Sequence, residues 1–305
     1  MTPVSILIVT YNPDKTILSC LRAIQSEATH DSEVIVIDNA SQDRTVERVQ
    51  SIFPYVKILA NSDNPGYGVA NNRGFALSHG DVIVILNPDV VVAPGAVQAL
   101  VDFVASNGDV GVVGPRTLSS DGRPVITARH DYTVFRLLVK HLGINRVIPS
   151  WVYGSLGPLS LETNDPLDVD WLHGSALALR RDIYAQLGGF DEEFFLFMED
   201  VDLCARARDA GLRVVLLPSA QVEHVGSESV NRFPVARIRS YHISPLHYFR
   251  KRGRPWAVRI LKIGFTLELV GKSIIRRLQN LVSPDEGRRE KARIEWQVIS
   301  DVWKY

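Results

Sequence analysis

Short apolar runs rich in Val, Ile and Leu alternate with helix-type patterns from the N-terminus to about residue 115. Runs that are apolar at nearly every position are typical of strands buried on both faces, as in a parallel sheet covered by helices. The sequence therefore predicts an α/β fold with a mostly parallel sheet flanked by helices. The predicted strands are Val4–Thr10, Glu33–Asp38, Val56–Ala60, Val82–Leu86 and Val110–Val113. The predicted helices are Pro13–Gln25, Arg44–Ile52, Gly66–Ser78 and Pro94–Ala105.

Polar residues cluster directly after three of these strands. The clusters are Thr10–Asn12, Asp38–Ser41 and Asn87–Asp89. In open α/β sheets, ligands bind outside the carboxyl ends of the strands, so three such clusters indicate one binding crevice. The alternative is that Asn, Asp and Ser cap helices and form turns at these positions.

Seven segments carry a resemblance to a known family. They are Val9–Asn12, Val36–Asp43, Asn64–Gly74, Leu86–Asp89, Trp171–Arg181, Gly189–Asp191 and Glu199–Leu203. Together they resemble family 2 glycosyltransferases of the GT-A fold, and within that family bacterial rhamnosyltransferases that use dTDP-L-rhamnose. The resemblance covers roughly residues 3–250.

The resemblance implies a Rossmann-like GT-A catalytic domain at residues 1–245. Residues 1–115 would form its nucleotide-binding half and residues 116–245 its acceptor-binding half, followed by a basic helical C-terminal extension at residues 246–305. It also implies inverting transfer of a sugar from a nucleotide-sugar donor. The acceptor would be a polyprenyl-diphosphate-linked or polysaccharide glycan in cell-surface glycan synthesis.

The donor side of the crevice follows from the same resemblance. Asp38 corresponds to the carboxylate that reads the base, and Asn87 can bond a ribose hydroxyl or a metal-bound water. The full donor-binding set is Thr10, Tyr11, Asn12, Asp38, Asn39, Arg73, Asn87 and Asp89. For Arg73 the alternative is a solvated helix face.

A divalent cation is expected because charge develops on the departing nucleotide diphosphate. Oxygen ligands suit Mg²⁺ or Mn²⁺, and Asp89 follows a buried strand. The family usually has Asp-x-Asp where this chain has Asn87-Pro88-Asp89, so only the final carboxylate is present. The resemblance implies His224 as the second metal ligand, whereas a lone histidine is otherwise a satisfied polar residue.

The catalytic base is assigned to Asp200, with Glu199 as its supporting neighbour, because this Glu-Asp pair resembles the family motif. Inversion requires a carboxylate that takes the proton of the attacking acceptor hydroxyl. The alternative is that both acids only complement the dipole of the helix that they begin.

The acceptor side is assigned to Trp171, His173 and Gly174, and the alternative for the tryptophan is a core position. The long Gly-, Pro- and Ser-rich segment at residues 116–166 is interpreted as an acceptor loop.

The C-terminal part differs from the rest of the chain. Residues Leu246 to Arg293 contain 13 Lys and Arg against 4 Asp and Glu. An apolar stripe follows helical spacing there, and Phe265 and Leu269 widen it. Its members are Trp256, Ile260, Ile263, Leu267, Val270, Ile274, Leu278 and Leu281. Either this helix associates with an anionic membrane surface, or it packs on the catalytic domain or on a second subunit of a homo-oligomer.

Bulk properties exclude other classes. Formal net charge is zero, which predicts no nucleic-acid partner, and the two cysteines predict no disulfide framework and a reducing compartment. We expect neither a signal peptide nor a membrane span, and a cytoplasmic protein peripheral to the inner face of the membrane. An oxidoreductase is disfavoured because no Gly-x-Gly-x-x-Gly follows the first strand. A non-catalytic nucleotide-sugar-binding module and a transferase using a UDP-sugar stay open as alternatives.

Overall fold

The computed structural model describes residues 2–13, 16–27, 32–144, 163–224 and 234–305. These residues divide into two compact units. The first lies within Met1–Asp131, Pro158–Phe195 and Glu199–Ser229, and the second within Tyr132–Gly157, Leu196–Met198 and Val230–Tyr305. The predicted acceptor loop falls in part on residues 145–162, which lie outside the described residues.

The first unit is built on a ten-stranded sheet with the order β3-β2-β1-β4-β11-β6-β12-β5, to which β7 and β9 add at β6 and β12. The strands are β1 (Val4–Thr10), β2 (Ser32–Asp38), β3 (Lys57–Ala60), β4 (Val82–Leu86), β5 (Val90–Val92), β6 (Val110–Leu118), β7 (Pro124–Val125), β9 (Leu167–Asp168), β11 (Ala176–Arg180) and β12 (Arg213–His224). A separate pair joins β8 (Ala128–Arg129) to β10 (Trp171–Leu172).

The sheet is mixed. Strands β3, β2, β1 and β4 run parallel, as the sequence predicts for the N-terminal half. Strand β11 then enters antiparallel between β4 and β6, and β5 pairs antiparallel with the end of β12. The predicted α/β architecture is confirmed, and the antiparallel strands are confined to the half of the unit that follows β4.

Helices cover the parallel strands because those strands are apolar on both faces; all seven residues of β1 are buried. The helices of the first unit are α1 (Thr16–Glu27), α2 (Thr45–Ile52), α3 (Tyr67–Leu77), α4 (Ala96–Ser106), α6 (Arg181–Gln186) and α7 (Glu199–Asp209). Helix α3 packs closely on β2, since a Cβ at Gly74 would lie 2.6 Å from the side chain of Ile37. Cys20 and Cys204 are buried free thiols.

The second unit is helical and consists of α5 (Val134–His141), α8 (Pro234–Lys251), α9 (Pro255–Val282) and α10 (Glu286–Lys304). Helix α9 buries Ala257, Leu261, Phe265 and Leu269. Phe265 and Leu269, which are predicted to widen the apolar stripe, therefore lie on the packed face, whereas stripe members such as Leu267 are exposed. No helix in the described ranges is long and apolar enough to cross a membrane.

Candidate active site

The carboxyl ends of β2, β1 and β4 meet at one edge of the sheet. Thr10 at the end of β1 is opposite Asp38 at the end of β2, and Ile8 is opposite Leu86 at the end of β4. The loop that begins at Asn87 therefore leaves the sheet beside the end of β1. The structure brings the three polar clusters to a common edge, as expected for a ligand crevice.

At the β1–β2 end of this edge, two buried oxygen atoms have no hydrogen-bond partner among the described residues. Oδ2 of Asp38 accepts from the backbone N–H of Ser41 at 2.9 Å, whereas Oδ1 of Asp38 and Oγ1 of Thr10 have none. Unpaired buried polar atoms are costly, so their retention indicates a site that a ligand completes.

Asn12 holds the loop next to these atoms. It adopts a φ of 52°, its Oδ1 accepts from the backbone N–H of Gln42 at 2.7 Å, and its own N–H donates to Oγ of Ser41 at 2.8 Å. The side chain of Asn12 thus fixes the turn, and Tyr11 beside it is half-buried.

A chain of amides continues from this loop to α3. The Nδ2 of Asn61 donates to Oδ1 of Asn39 at 2.9 Å, and Arg73 donates to Oδ1 of Asn61 at 2.6 Å. Asn39 is buried and also donates to the carbonyl of Gly66 at 3.3 Å. Arg73 is therefore directed at the loops of the crevice, although its side chain is partly exposed.

Asp89 and His224 come from distant parts of the chain and face each other. Strand β12 pairs with β5 so that His224 is opposite Val90, the residue after Asp89. The Nε2 atom of His224 lies 3.2 Å from Oδ1 of Asp89. Both atoms are buried, and neither has a hydrogen-bond partner of acceptable geometry within the part of the chain that the structure describes. The Asp89 carboxylate raises the pKa of His224 above its usual range, against the effect of burial.

These two atoms fit a divalent cation. Neighbouring ligands of an octahedral ion with ligand distances near 2.1 Å lie about 3 Å apart. An imidazole nitrogen and a carboxylate oxygen without other partners at that separation are suited to Mn²⁺ or Mg²⁺ together with phosphate oxygens.

A second group of ligand-type side chains lies in the helical unit, but its carboxylate oxygens already have partners. His141, His242 and Glu268 are the only group of three such residues close enough to hold a metal among the described residues. Nδ1 of His141 lies 2.6 Å and Nε2 of His242 lies 3.3 Å from Oε2 of Glu268. Lys272 donates to Oε1 of Glu268 at 2.5 Å. Because both oxygens of Glu268 are already paired, this cluster is a satisfied buried network.

The two adjacent acids at the start of α7 are both buried but are held differently. Asp200 accepts from the backbone N–H of Gly174 through Oδ2 and from its neighbour Val201 through Oδ1, each at 2.8 Å. Oε2 of Glu199 is buried and accepts no hydrogen bond from any described residue. Burial, and then repulsion from Asp200, raises the pKa of Glu199 to about 8. At neutral pH Glu199 is therefore mostly protonated.

Tyr67, at the start of α3, completes the support of Asp200. Its hydroxyl donates to the carbonyl oxygen of Gly174 at 2.7 Å. Burial, together with the charges of Glu199 and Asp200, raises the pKa of Tyr67 well above its usual range. Sequence reasoning did not assign this residue a role, although it lies inside the Asn64–Gly74 motif that carried the resemblance.

His173 lies within electrostatic range of Asp89 and His224 and also of Asp200. Although part of this residue is exposed to solvent, many protein atoms surround its ring, as expected for a residue that lines a cleft. Burial lowers its pKa, while Asp200 and Asp89 act in the opposite direction and His224 lowers it further. These groups therefore lie within electrostatic reach of one ring.

Trp171 is placed differently. It is buried, and its Nε1 donates to the carbonyl of His130 at 2.9 Å. Its indole N–H is thus used within the protein, an arrangement that agrees with the core alternative considered from the sequence. A direct contact of Trp171 with an acceptor stays a prediction.

The mixed sheet and its flanking helices form a fold of the GT-A class of glycosyltransferases, which solved structures share. The family model described as "Glycosyl transferase family 2" matches residues 5–171. The chain belongs to this family.

Curated relatives confirm the resemblance to bacterial rhamnosyltransferases. The chain is 32% identical over 266 residues to the N-acetylglucosaminyl-diphospho-decaprenol L-rhamnosyltransferase of Mycobacterium tuberculosis, with 82% of this chain and 85% of the relative covered. It is 24% identical to the rhamnosyltransferase WbbL of Escherichia coli over 82% of this chain and 93% of the relative.

Solved structures confirm the fold. The mannosyltransferase PcManGT from Pyrobaculum calidifontis, in complex with GDP-Man and Mn²⁺, superposes with a TM-score of 0.54 at 16% identity over 99% of this chain and 86% of that chain. GalNAc-T7 with UDP, GalNAc and Mn²⁺ gives a TM-score of 0.56 at 15% identity over 79% of this chain and 47% of that chain.

Proposed function

We propose that this enzyme transfers L-rhamnose from dTDP-L-rhamnose, with inversion, to a polyprenyl-diphosphate-linked sugar in cell-surface glycan synthesis. The observation that carries the proposal is the 32% identity to a rhamnosyltransferase named for a diphospho-decaprenol acceptor, over 82% of this chain. A polysaccharide acceptor is the alternative within the same chemistry.

The donor would occupy the edge between β2 and β4. Oδ1 of Asp38 and Oγ1 of Thr10 are buried and unpaired, so they suit the N3–H and neighbouring groups of a pyrimidine. Uracil and thymine both carry this N3–H. Asp38 therefore does not distinguish a dTDP-sugar from a UDP-sugar, and the donor has to be identified by experiment.

Asp89 and His224 would hold the divalent cation, either Mg²⁺ or Mn²⁺. When bound, the cation neutralises charge on the departing diphosphate. Asn87 lies directly after β4, and its backbone N–H donates to the carbonyl of Ser175 at 2.8 Å. This contact anchors the start of the loop that carries Asp89.

Asp200 would act as the general base that removes the proton from the acceptor hydroxyl as it attacks the anomeric carbon. The N–H groups of Gly174 and Val201 hold its carboxylate in one orientation. Glu199, which is protonated at neutral pH, is unsuited to accept that proton but limits the negative charge beside the base. His173 and Gly174 would border the acceptor.

The enzyme would work at the cytoplasmic face of the membrane, where a polyprenyl-linked acceptor is anchored. A non-catalytic nucleotide-sugar-binding module is the competing function. The convergence of Asp89, His224 and Asp200 supports catalysis, because a binding module has no use for a buried base beside its metal pair.

Release of nucleotide diphosphate from dTDP-L-rhamnose, and from UDP- and GDP-sugars, tests the proposal in the presence of Mn²⁺ or Mg²⁺. We expect acceptor-dependent release from dTDP-L-rhamnose. Asp200→Asn should reduce it by about 10²–10⁴-fold while donor binding, measured by calorimetry, changes little. Donor binding without turnover of any donor would favour the non-catalytic module. Release from a UDP-sugar alone would show that the donor is a UDP-sugar and not dTDP-L-rhamnose.

A further inference from the structure

Helix α9 turns the apolar stripe identified from its spacing toward solvent. The exposed members are Trp256, Ile260, Ile263, Leu267, Ile274, Leu278 and Leu281, with Leu267 62% and Leu281 80% exposed. Leu261 and Phe265, on the opposite side of the helix, are fully buried. A contiguous exposed apolar surface of this kind marks an interaction site.

Two tryptophans of α10 border this stripe. Trp296 and Trp303 are both exposed, and the N–H of Trp303 donates to Oγ1 of Thr266 on α9 at 3.0 Å. The guanidinium carbon of Arg277 lies 5.6 Å from the ring centre of Trp296, and Nζ of Lys262 lies 5.7 Å from that of Trp303. The exposed stripe and these two tryptophans together are called the α9 face.

The exposed charge of helix α9 itself has one sign, although α10 beside it carries the exposed acid Glu290 and pairs its Glu295 with Arg276. Helix α9 contains five basic residues, Arg259, Lys262, Lys272, Arg276 and Arg277, and a single acid, Glu268. Glu268 is buried and paired with Lys272 and His141. Helix α9 therefore presents cations and no exposed carboxylate next to its apolar stripe.

We propose that the α9 face docks on the anionic surface of a lipid bilayer. Apolar side chains would enter the boundary between headgroups and acyl chains, while Arg and Lys meet anionic headgroups and tryptophan rings lie at headgroup level. A helix of 28 residues is about 42 Å long, so the stripe would lie along the membrane plane. Docking would hold the enzyme where a polyprenyl-linked acceptor is found, and in this respect the inference rests on the proposed function.

A second copy of the chain is the competing occupant. A symmetric contact through the α9 face would bring two cationic helices together without exposed carboxylates of α9 to compensate them, and like charges oppose such association. An anionic bilayer satisfies the apolar and the cationic parts of the surface at once.

Co-sedimentation of the full-length protein with vesicles tests the proposal. We expect binding to vesicles that contain phosphatidylglycerol, weaker binding to phosphatidylcholine alone, and loss of the difference at high salt. Leu267→Gln with Leu278→Gln should lower the partition coefficient about tenfold or more. Arg259→Gln with Arg277→Gln should lower it about fivefold for each cation removed, only on anionic vesicles.

The matched control is Ile52→Gln with Leu77→Gln, two exposed apolar residues of the first unit, which should leave vesicle binding unchanged. Thermal unfolding establishes that each variant is folded. Equal and negligible binding of the wild-type protein to both vesicles would overturn the proposal. A dimer in sedimentation velocity that Leu267→Gln dissociates, without vesicle binding, would also overturn it and assign the surface to a second copy.

Vesicle binding needs neither donor nor acceptor, and nucleotide release from a donor needs no vesicle. A failure of the docking surface is therefore distinguishable from a failure of the proposed catalytic function.

Discussion

The backbone N–H of Gly174 donates a hydrogen bond of 2.8 Å to Oδ2 of Asp200. The carbonyl of the same glycine accepts from the hydroxyl of Tyr67 at 2.7 Å. A Cβ at position 174 would lie 3.3 Å from Cβ of Asp200, so the peptide and the carboxylate are in close contact. The orientation of the proposed base thus depends on α3 as well as on its own helix α7.

Tyr67→Phe tests this dependence. Removal of the hydroxyl leaves the Gly174 carbonyl without this donor, at a cost of about 1 kcal/mol, and loosens the peptide that holds Asp200. We expect kcat to fall about tenfold while KM for the donor stays near the wild-type value. Steady-state kinetics measure both constants. Tyr55→Phe, at an exposed tyrosine, is the control, and an unchanged kcat in Tyr67→Phe would remove the positioning role.

Asp89→Ala and His224→Ala test the metal pair. Each variant removes one of the two buried atoms that face each other across 3.2 Å, so donor-nucleotide affinity in Mn²⁺ should fall about tenfold or more. Calorimetry of dTDP binding, with Mn²⁺ and with a chelator, measures the effect. Asp109→Ala, at an exposed partner of Arg213, is the control. If the chelator weakened binding as much in both variants as in the wild-type protein, Asp89 and His224 would not be ligands.

Glu199→Gln tests the protonation state of the buried acid. The pKa of Glu199 is raised to about 8 in the folded protein, so the folded state holds a proton that the unfolded state loses from about pH 4.5. The contribution of Glu199 to the free energy of unfolding is therefore fully present below about pH 4.5 and is lost as the pH rises toward 8. Glutamine mimics the protonated acid at every pH.

We expect Tm of Glu199→Gln minus Tm of the wild-type protein to increase from pH 5 to pH 8. Glu290→Gln, at an exposed residue of α10, should show no such trend. A difference that is constant over this range would mean that Glu199 is ionised in the native state.

Gly66→Ala tests the tight approach at the start of α3. Gly66 has a φ of 98°, and a Cβ there would lie 2.6 Å from the carbonyl oxygen of Phe195. Backbone strain and this contact together should lower the free energy of unfolding by about 2–4 kcal/mol. Gly95→Ala is the matched control, because Gly95 has a φ of 79° but no atom within 4 Å of the added Cβ. Denaturant unfolding measures the free energy of unfolding of both variants. If both lost a similar amount, backbone strain alone would explain the loss and the contact with Phe195 would contribute nothing.

Local pattern predicted the N-terminal strands and the site clusters well. Strands β1 and β4 begin and end at the predicted residues, because each is a continuous apolar run bounded by polar or turn residues. The polar clusters after β1, β2 and β4 meet as expected, since parallel strands bring their carboxyl ends to one edge.

The long-range pairings were not predictable in this way. The antiparallel entry of β11 and the register that sets His224 opposite Val90 depend on strands about 90 and 130 residues apart, which no local periodicity encodes. The role of Tyr67 likewise depends on a contact with Gly174, which is 107 residues away.

By itself, then, the sequence determined the family, the parallel strands of the N-terminal part and the amphipathic character of α9, because each is recorded in motifs and spacings within one segment. Only the tertiary structure decided which atoms of Asp89 and His224 face each other, that burial raises the pKa of Glu199, and which side of α9 is buried. Helical spacing marks an apolar stripe, but burial is decided by the side chains of α5, α8 and α10 that pack on the opposite face.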